Sequence, residues 1–316
     1  MKAIAIENPG RDYRLVPVDV PKPVPAAGEV LIKVAAAGLN NADLLQARGA
    51  YPPPPGVSPI LGMEVSGTLE NGERVCALLP GGGYAEYAVA HAGSVLPVPD
   101  TINLVDAAGL PEACFTAWTN IVDTGRLADG ETLLVHGGTS GIGSLTVQIF
   151  TALGHTVFTT AGSDAKCEAA RALGAARAIN YKNEDFVAAV KDATDGKGVD
   201  VVLDMVGGDY VQRNIAAAAV WGRIVNIAYQ SGSKTEVDFA PVLTKRLTLA
   251  ATTLRGRTPA QKQAIRDTLA ARVWPLLEHG NIRPVTDHVF PLDQAGQAHE
   301  IMRKTGHIGK ILLTTG

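Results

Sequence analysis

The segment Leu133-Leu134-Val135-His136-Gly137-Gly138-Thr139-Ser140-Gly141-Ile142-Gly143 constrains this chain more than any other stretch of it. Apolar residues of strand length run into a glycine-rich turn, and helical spacing follows. A strand that turns tightly into a helix presents backbone amides and the positive end of the helix dipole, and glycines let an anionic ligand come close. The segment therefore predicts the first βα junction of a parallel sheet and a dinucleotide site, with Thr139, Ser140, Gly141 and Ile142 around the pyrophosphate. Mere tight packing is the competing account.

From about residue 119 apolar runs of strand length alternate with helical stretches, the order of βαβ units. Strands are expected at Thr132–Gly137, Thr156–Ala161, Ala178–Tyr181, Val199–Met205, Arg223–Ala228 and Leu247–Thr252. Helices are expected near Gly143–Leu153, Ala165–Leu173, Asp185–Ala193 and Tyr210–Ala219. Together they make one doubly wound α/β sheet. The sixth strand is apolar and expected at the sheet edge, where pairing with its copy would protect it, so a homodimer through this edge is expected.

The flanks read differently. Short strand-like runs (Ala3–Ile6, Val30–Ala35, Arg74–Leu79) are punctuated by Pro and Gly. Tyr51 precedes Pro52, Pro53, Pro54, Pro55 and Gly56, which excludes helix and predicts a stiff loop, either a spacer or a functional wall. After Thr253 one amphipathic helix, Pro259–His279, is expected, and a last strand over Ile308–Thr314. The parallel sheet thus reads as an insertion: residues 119–255 form a dinucleotide-binding domain, and residues 1–118 and 256–316 a β-rich one.

Composition closes off other classes. A formal charge of −3 with 46% hydrophobic and 19% charged residues fits neither disorder nor a nucleic-acid footprint. Cys76, Cys114 and Cys167 form no CxxC pair, so neither a disulfide framework nor a thiolate zinc knot is supported. No signal-peptide core follows Lys2, and no apolar run approaches the ~20 residues of a membrane helix; a cytoplasmic protein without nucleic-acid or membrane partners is expected. No HxH or HExxH spacing joins the histidines, and His136 is expected to pack or to bond backbone.

A site for NAD usually carries an acidic residue at the end of the second strand, about 20 positions past the loop, to hold the adenosine 2′-hydroxyl. Here that strand ends Thr159-Thr160-Ala161-Gly162. The missing carboxylate removes a repulsion against a 2′-phosphate, for which Lys166 and Tyr181 offer a charge-assisted and a neutral hydrogen bond beside Gly162 and Ser163. NADPH is the expected cofactor. Asp164 argues for NADH unless it caps the next helix, and Lys166 alone also reads as a solvated charge. Asn226 to Ala228, at the end of the fifth strand, are expected to pass the nicotinamide.

Spread along the chain are Ala37-Gly38-Leu39-Asn40 with Asp43, Tyr51 before its prolines, Leu61-Gly62-Met63-Glu64-Val65-Ser66-Gly67, Leu79 to Tyr87, the glycine loop and Gly309-Lys310-Ile311-Leu312-Leu313. In this combination the chain resembles the zinc-free medium-chain dehydrogenase/reductases of the quinone oxidoreductase, or zeta-crystallin, group. Pro80 to Gly83, Ala161-Gly162-Ser163 and Asn180-Tyr181-Lys182 are most similar to the stress-inducible NADPH quinone reductases. The short-chain dehydrogenases share one spelling of the glycine loop but need a Tyr-x-x-x-Lys pair, which is missing here. The resemblance implies a Rossmann domain inserted in a GroES-like catalytic domain. It also implies that Asn40, Met63 and Glu112 stand where zinc-dependent relatives place metal ligands, and an amide, a thioether and one carboxylate make no tetrahedral zinc site.

Without zinc to polarise a carbonyl, substrates that accept hydride readily are favoured, and a quinone is the expected partner of NADPH. Asn40 and Tyr51 are the candidate donors to the developing oxyanion, and each also reads as structural. Leu44 and Leu45 stand where some relatives carry a further tyrosine, so no general acid is assigned. Two other readings stay open: an NADPH-dependent reductase of activated alkenes or enoyl groups, and a non-catalytic, crystallin-like NADPH-binding protein. Arg255 and Arg257, at the expected domain junction, read as solvated residues first and as phosphate or substrate contacts second.

Overall fold

The glycine turn lies where a parallel sheet begins, in a computed structural model that describes all residues from Met1 to Gly316. The chain divides into a terminal unit, Met1–Phe115 with Arg255–Gly316, and a central unit, Thr116–Leu254.

In the central unit the elements run β1 (Thr132–His136), α1 (Gly141–Ala152), β2 (Thr156–Ala161), α2 (Asp164–Ala172), β3 (Arg177–Asn180) and α3 (Phe186–Ala193). They continue with β4 (Val199–Asp204), α4 (Tyr210–Ala217), β5 (Ala218–Asn226), α5 (Ala240–Lys245) and β6 (Thr248–Ala251). The strand order is β3-β2-β1-β4-β5-β6 with every pair parallel, a doubly wound Rossmann sheet. Its order reverses between β1 and β4, which opens a crevice at their C-terminal ends, just where the glycine turn leaves β1. Leu134, Phe158, Val202 and Ile224 from the strands pack with Phe186 and Ile215 from α3 and α4 into one buried cluster.

Local chemistry starts the helices. Ser140 Oγ accepts the Gly143 amide (3.0 Å) and Ser163 Oγ the Lys166 amide (3.3 Å), N-caps that satisfy donors the helices leave open. The cap of α2 is thus Ser163 and not Asp164, whose carboxylate instead accepts from Asn180 Nδ2 (2.7 Å). The junction of α4 and β5 departs furthest from the sequence reading, and one helix, α5, is not among those expected. Ala218 is already extended, at φ −67° and ψ 146°, so α4 stops at Ala217 and β5 begins five residues before Arg223. Helix α5 buries none of its residues, so no amphipathic stripe marks it in the sequence.

The terminal unit is built on a seven-stranded sheet. Its path runs Thr286–Pro291, Lys310–Thr314, Glu29–Gly38, Glu64–Thr68, Arg74–Leu78, Val95–Pro97, with Tyr87–His91 paired to Glu29–Lys33. The last strand pairs antiparallel with Glu29–Gly38, so the C-terminus returns to the sheet of the N-terminal segment. Ile32, Leu61, Leu79, Tyr84 and Leu313 lie in its buried core. The expected helix over Pro259–His279 is two helices, Pro259–Arg272 and Trp274–Glu278, divided at Val273. Pro275 has no amide to continue the first helix and is placed in the first turn of the second. No helix is long and apolar enough to cross a membrane.

Candidate active site

At the end of β1 the chain reverses through Gly137, at φ +69°. A Cβ on Gly138 would lie 1.9 Å from Thr159 Oγ1, and one on Gly143 would lie 2.1 Å from the Gly137 carbonyl oxygen. Only glycine fits either position, which is what brings the start of α1 against β1 and β2. Ser140 N bonds Gly137 O, Gly138 N bonds Thr160 O, and Gly143 N and Ser144 N bond Ser140. The amides of Thr139, Gly141 and Ile142 have no acceptor in the protein. Three open amides at the start of a twelve-residue helix form a cradle for an anion, and this is the structural fit to a dinucleotide pyrophosphate.

A buried side-chain chain stands behind the turn. Asp204, at the end of β4, accepts the amides of Val206 (2.7 Å) and Gly207 (3.2 Å) on one oxygen. Its other oxygen accepts Asn214 Nδ2 (3.1 Å) and Asn226 Nδ2 (2.8 Å). Since the Asn214 nitrogen donates to Asp204, its oxygen must accept from His136 Nε2 (2.7 Å), and Nδ1 lies 3.0 Å from Thr160 Oγ1, a hydroxyl able to donate or to accept. Burial pushes the His136 pKa down, which favours the neutral imidazole with Nδ1 accepting from the Thr160 hydroxyl. As expected His136 packs, edge-on against Phe186 and Tyr210, but its hydrogen bonds go to side chains and not to the backbone, and they tie the ends of β1, β2, β4 and β5 together. Asn226 is thereby fixed at the end of its strand, with Ala228 two residues beyond.

Beyond β2, Gly162 and Ser163 begin α2, with Lys166 in its first turn. The Tyr181 hydroxyl lies 2.6 Å from where a Gly162 Cβ would be, and Tyr181 is largely exposed. The four residues expected to meet the adenosine ribose are thus neighbours or share one helix turn. Asp164 belongs to the same turn but is bonded to Asn180, which draws its carboxylate toward β3.

In the terminal unit Asn40 is buried where the strand Glu29–Gly38 passes into the helix Asn41–Ala47. Its Nδ2 donates to Glu64 Oε1 (2.8 Å), and its Oδ1 accepts from Lys310 Nζ (2.8 Å). Lys310 also bonds Glu64, and the other Glu64 oxygen accepts the amide of Glu112 (2.9 Å). The amide expected to face a substrate therefore has both heteroatoms engaged inside the unit. The same arrangement fails the test for zinc: a lysine ammonium already bonds both Asn40 and Glu64, Met63 is a buried thioether, and no cluster of three His, Cys, Asp or Glu side chains forms. Three residues on, Asp43 accepts the amides of Asn40 (2.8 Å) and Gly62 (3.0 Å), and burial pushes its pKa up to about 6. Glu64 and Lys310 carry no local pattern that announces these roles, whereas the Asn40-x-x-Asp43 spacing is that of a capping box.

Tyr51 opens the proline loop and is half-buried. The guanidinium of Arg255 stands 5.3 Å from the centre of its ring. Arg255 is buried, in contrast to the solvated position expected for it, because the loops around it supply acceptors: Pro80 O for Nε (2.7 Å) and Gln46 Oε1 for Nη2 (2.8 Å), with Tyr51 O 3.4 Å from Nη1. Burial raises the pKa of the Tyr51 phenol, and the Arg255 charge opposes that rise.

A glycine turn with open amides on a Rossmann sheet, together with a GroES-like unit, defines a dehydrogenase/reductase architecture. Residues 26–100 match the alcohol dehydrogenase GroES-like domain, and residues 141–271 match the zinc-binding dehydrogenase family. Mouse quinone oxidoreductase is 31% identical over 99% of this chain and 97% of its own length. A phenolphthiocerol/phthiocerol polyketide synthase of Mycobacterium tuberculosis is 32% identical over 98% of this chain, which spans 15% of that much longer protein. Among solved structures, the quinone oxidoreductase from Thermus thermophilus, described free and with NADPH, is 31% identical, with a TM-score of 0.85 over 99% of this chain and 100% of its own. The chain belongs to the medium-chain dehydrogenase/reductase superfamily, among the quinone oxidoreductases, and is an oxidoreductase of that family.

Proposed function

We propose that this protein reduces quinones with NADPH and without a metal ion. The observation that carries the reading is the set of three open amides at Thr139, Gly141 and Ile142, on a turn whose neighbouring strand ends in no carboxylate. Likeness over nearly the whole chain to a mouse quinone oxidoreductase, and to a Thermus thermophilus one described with NADPH, supports it.

The three amides and Ser140 hold the pyrophosphate. Gly162, Ser163, Lys166 and Tyr181 take the 2′-phosphate, and Asn226 and Ala228 flank the nicotinamide. When bound, NADPH supplies a hydride, one hydrogen with two electrons. As the quinone gains them, one carbonyl oxygen becomes anionic, and the Tyr51 hydroxyl donates to it, with the second Asn40 N–H as a further donor. The hydroquinone anion then takes its proton from water, so no side chain has to act as general acid. Lys310 and Glu64 hold the Asn40 amide in one orientation. The protein works in the cytoplasm as a homodimer joined along the exposed edge of β6.

The test is NADPH oxidation with 1,2-naphthoquinone, 2-cyclohexenone and an enoyl thioester. Preferred turnover of the quinone is expected. Preference for the enone or thioester replaces the reading with alkene reduction, and no oxidation with any acceptor replaces it with a binding role.

A further inference from the structure

Arg255 is a cation that the fold buries without an ion pair, with the Asp43 and Glu112 carboxylates acting on it only through space. None of the ion pairs of the structure includes it; its partners are the carbonyls of Pro80 and Tyr51 and the amide oxygen of Gln46. A second buried cation, Lys262, stands behind it and donates to the Arg255 carbonyl (3.0 Å). Neutral acceptors satisfy hydrogen bonds but repay little of the cost of removing charge from water. The Arg255 guanidinium lies over the Tyr51 ring, 5.3 Å from its centre.

The same contacts fix the loop mechanically. Gln46, on the helix Asn41–Ala47, accepts from Arg255 and donates through Nε2 to Pro59 O (3.0 Å). Arg255 contacts the loop at Tyr51 and Gln46 holds it at Pro59, so the Arg255–Gln46 bond closes a clasp across the run of prolines between them.

We propose that Arg255 is the positioning residue of the Tyr51 hydroxyl: it clasps the proline loop and places a positive charge against the ring, so that the phenol can share its proton with an oxyanion. This rests on the reading of Tyr51 as the oxyanion donor. Hydrogen-bond donation draws negative charge onto the phenol, and a nearby guanidinium stabilises that charge. The charged groups that act on Tyr51 are Arg255, which lowers its pKa, and Glu112, from the helix Pro111–Trp118, which raises it; Lys262 stands behind Arg255.

The experiment labels the protein with 3-fluorotyrosine and follows the Tyr51 resonance, identified by its loss in Tyr51→Phe, through a pH titration by fluorine NMR. Arg255→Met is expected to raise the Tyr51 midpoint and to lower kcat with 1,2-naphthoquinone roughly tenfold to hundredfold, with KM for NADPH unchanged. Arg255→Lys is expected to keep most of the midpoint, because the charge remains, and to lose part of kcat, because the clasp does not. A clasp without an electrostatic role would expose the phenol when broken and move the midpoint down; that result, or an unchanged kcat in Arg255→Met, overturns the proposal. Should Arg255→Met not fold, Gln46→Leu breaks the clasp with the charge in place, and an unchanged kcat there overturns it equally. Full activity in Tyr51→Phe overturns the reading of Tyr51 itself, whatever the arginine variants do.

Discussion

Lys310 and Glu64 form an ion pair sealed inside the terminal unit, with side-chain exposures of 5% and 0%. Breaking a buried pair leaves one charge with neither water nor partner, which costs about 3–5 kcal/mol, whereas replacing both partners by neutral groups costs much less. Lys310→Met is therefore expected to destabilise the protein by about that amount, and Lys310→Met with Glu64→Gln to recover most of the loss. Urea unfolding of the single and double variants measures both. A double variant no more stable than Lys310→Met would show that packing of the lysine stem, and not its charge, sustains this region.

Asp43 sits next to that pair and responds to pH in the opposite sense to most carboxylates. Burial lifts its pKa from 3.8 to about 6 against the two amides that favour its charge, so the folded state holds this proton more tightly than the unfolded one. The stabilisation is whole below about pH 4 and is lost as pH rises through 6, a change of up to about 3 kcal/mol. Asp43→Asn cannot titrate and loses one acceptor at every pH. The stability gap between wild type and Asp43→Asn should therefore narrow between pH 4 and pH 8, as read by urea midpoints, and a gap that widens contradicts the assignment.

His299 titrates with the other sign. It is fully buried between Tyr13, whose hydroxyl lies 2.7 Å from Nδ1, and Tyr84, 3.2 Å from Nε2. Burial, with smaller contributions from the charges of Arg303 and Arg48, brings its pKa down from 6.5 to about 3. Its contribution is present above about pH 6.5 and is lost as pH falls toward 3, by up to about 5 kcal/mol. His299→Gln should be less stable than wild type at pH 7 and should lose less on going to pH 4. Thermal unfolding at the two pH values checks this, and parallel losses in both proteins would rule it out.

These three groups illustrate where a sequence stops being readable. Strand β2 is legible to the residue, Thr156–Ala161, because apolar strand formers end there against a glycine, and the turn at Gly137–Gly143 is legible because its chemistry is local. The Lys310–Glu64 bond joins residues 246 positions apart, and Tyr13 meets His299 across 286; nothing near either residue encodes such a meeting. Arg255 reads as solvated because an arginine between loop residues usually is, and only the fold brings Pro80, Gln46 and Tyr51 around it. Asn40 stands out in the sequence through the motif around it, but its partners, which decide what its amide can do, lie 24 and 270 residues away.

The outer edge of β6 carries no strand partner within the chain, and Leu249 on it is 38% exposed. Pairing with the same strand of a second copy would satisfy the edge and cover this side chain. Leu249→Lys is accordingly expected to shift the protein to monomer in sedimentation velocity, with its unfolding cooperative. A wild-type monomer at micromolar concentration would remove the proposal.

The proposed preference for NADPH over NADH turns on Lys166. It lies in the first turn of α2, whose cap is Ser163, and Asp164, the acidic residue that would have favoured a ribose hydroxyl, is bonded to Asn180. Near the expected 2′-position the proposed site thus sets the Lys166 cation and neutral donors against one carboxylate, Asp164, one oxygen of which is taken by Asn180; on this reading the cation outweighs it for a dianionic phosphate. A hydrogen bond to a charged group contributes about 1.5–3 kcal/mol, so Lys166→Ala should weaken NADPH by about tenfold to a hundredfold and NADH by less than about threefold. Calorimetric titration of each nucleotide into wild type and variant gives the four constants needed. Since counterion screening acts on the same contact, the wild-type preference for NADPH should also shrink as salt rises. Equal losses for the two nucleotides would place the 2′-phosphate elsewhere and leave Lys166 a surface charge.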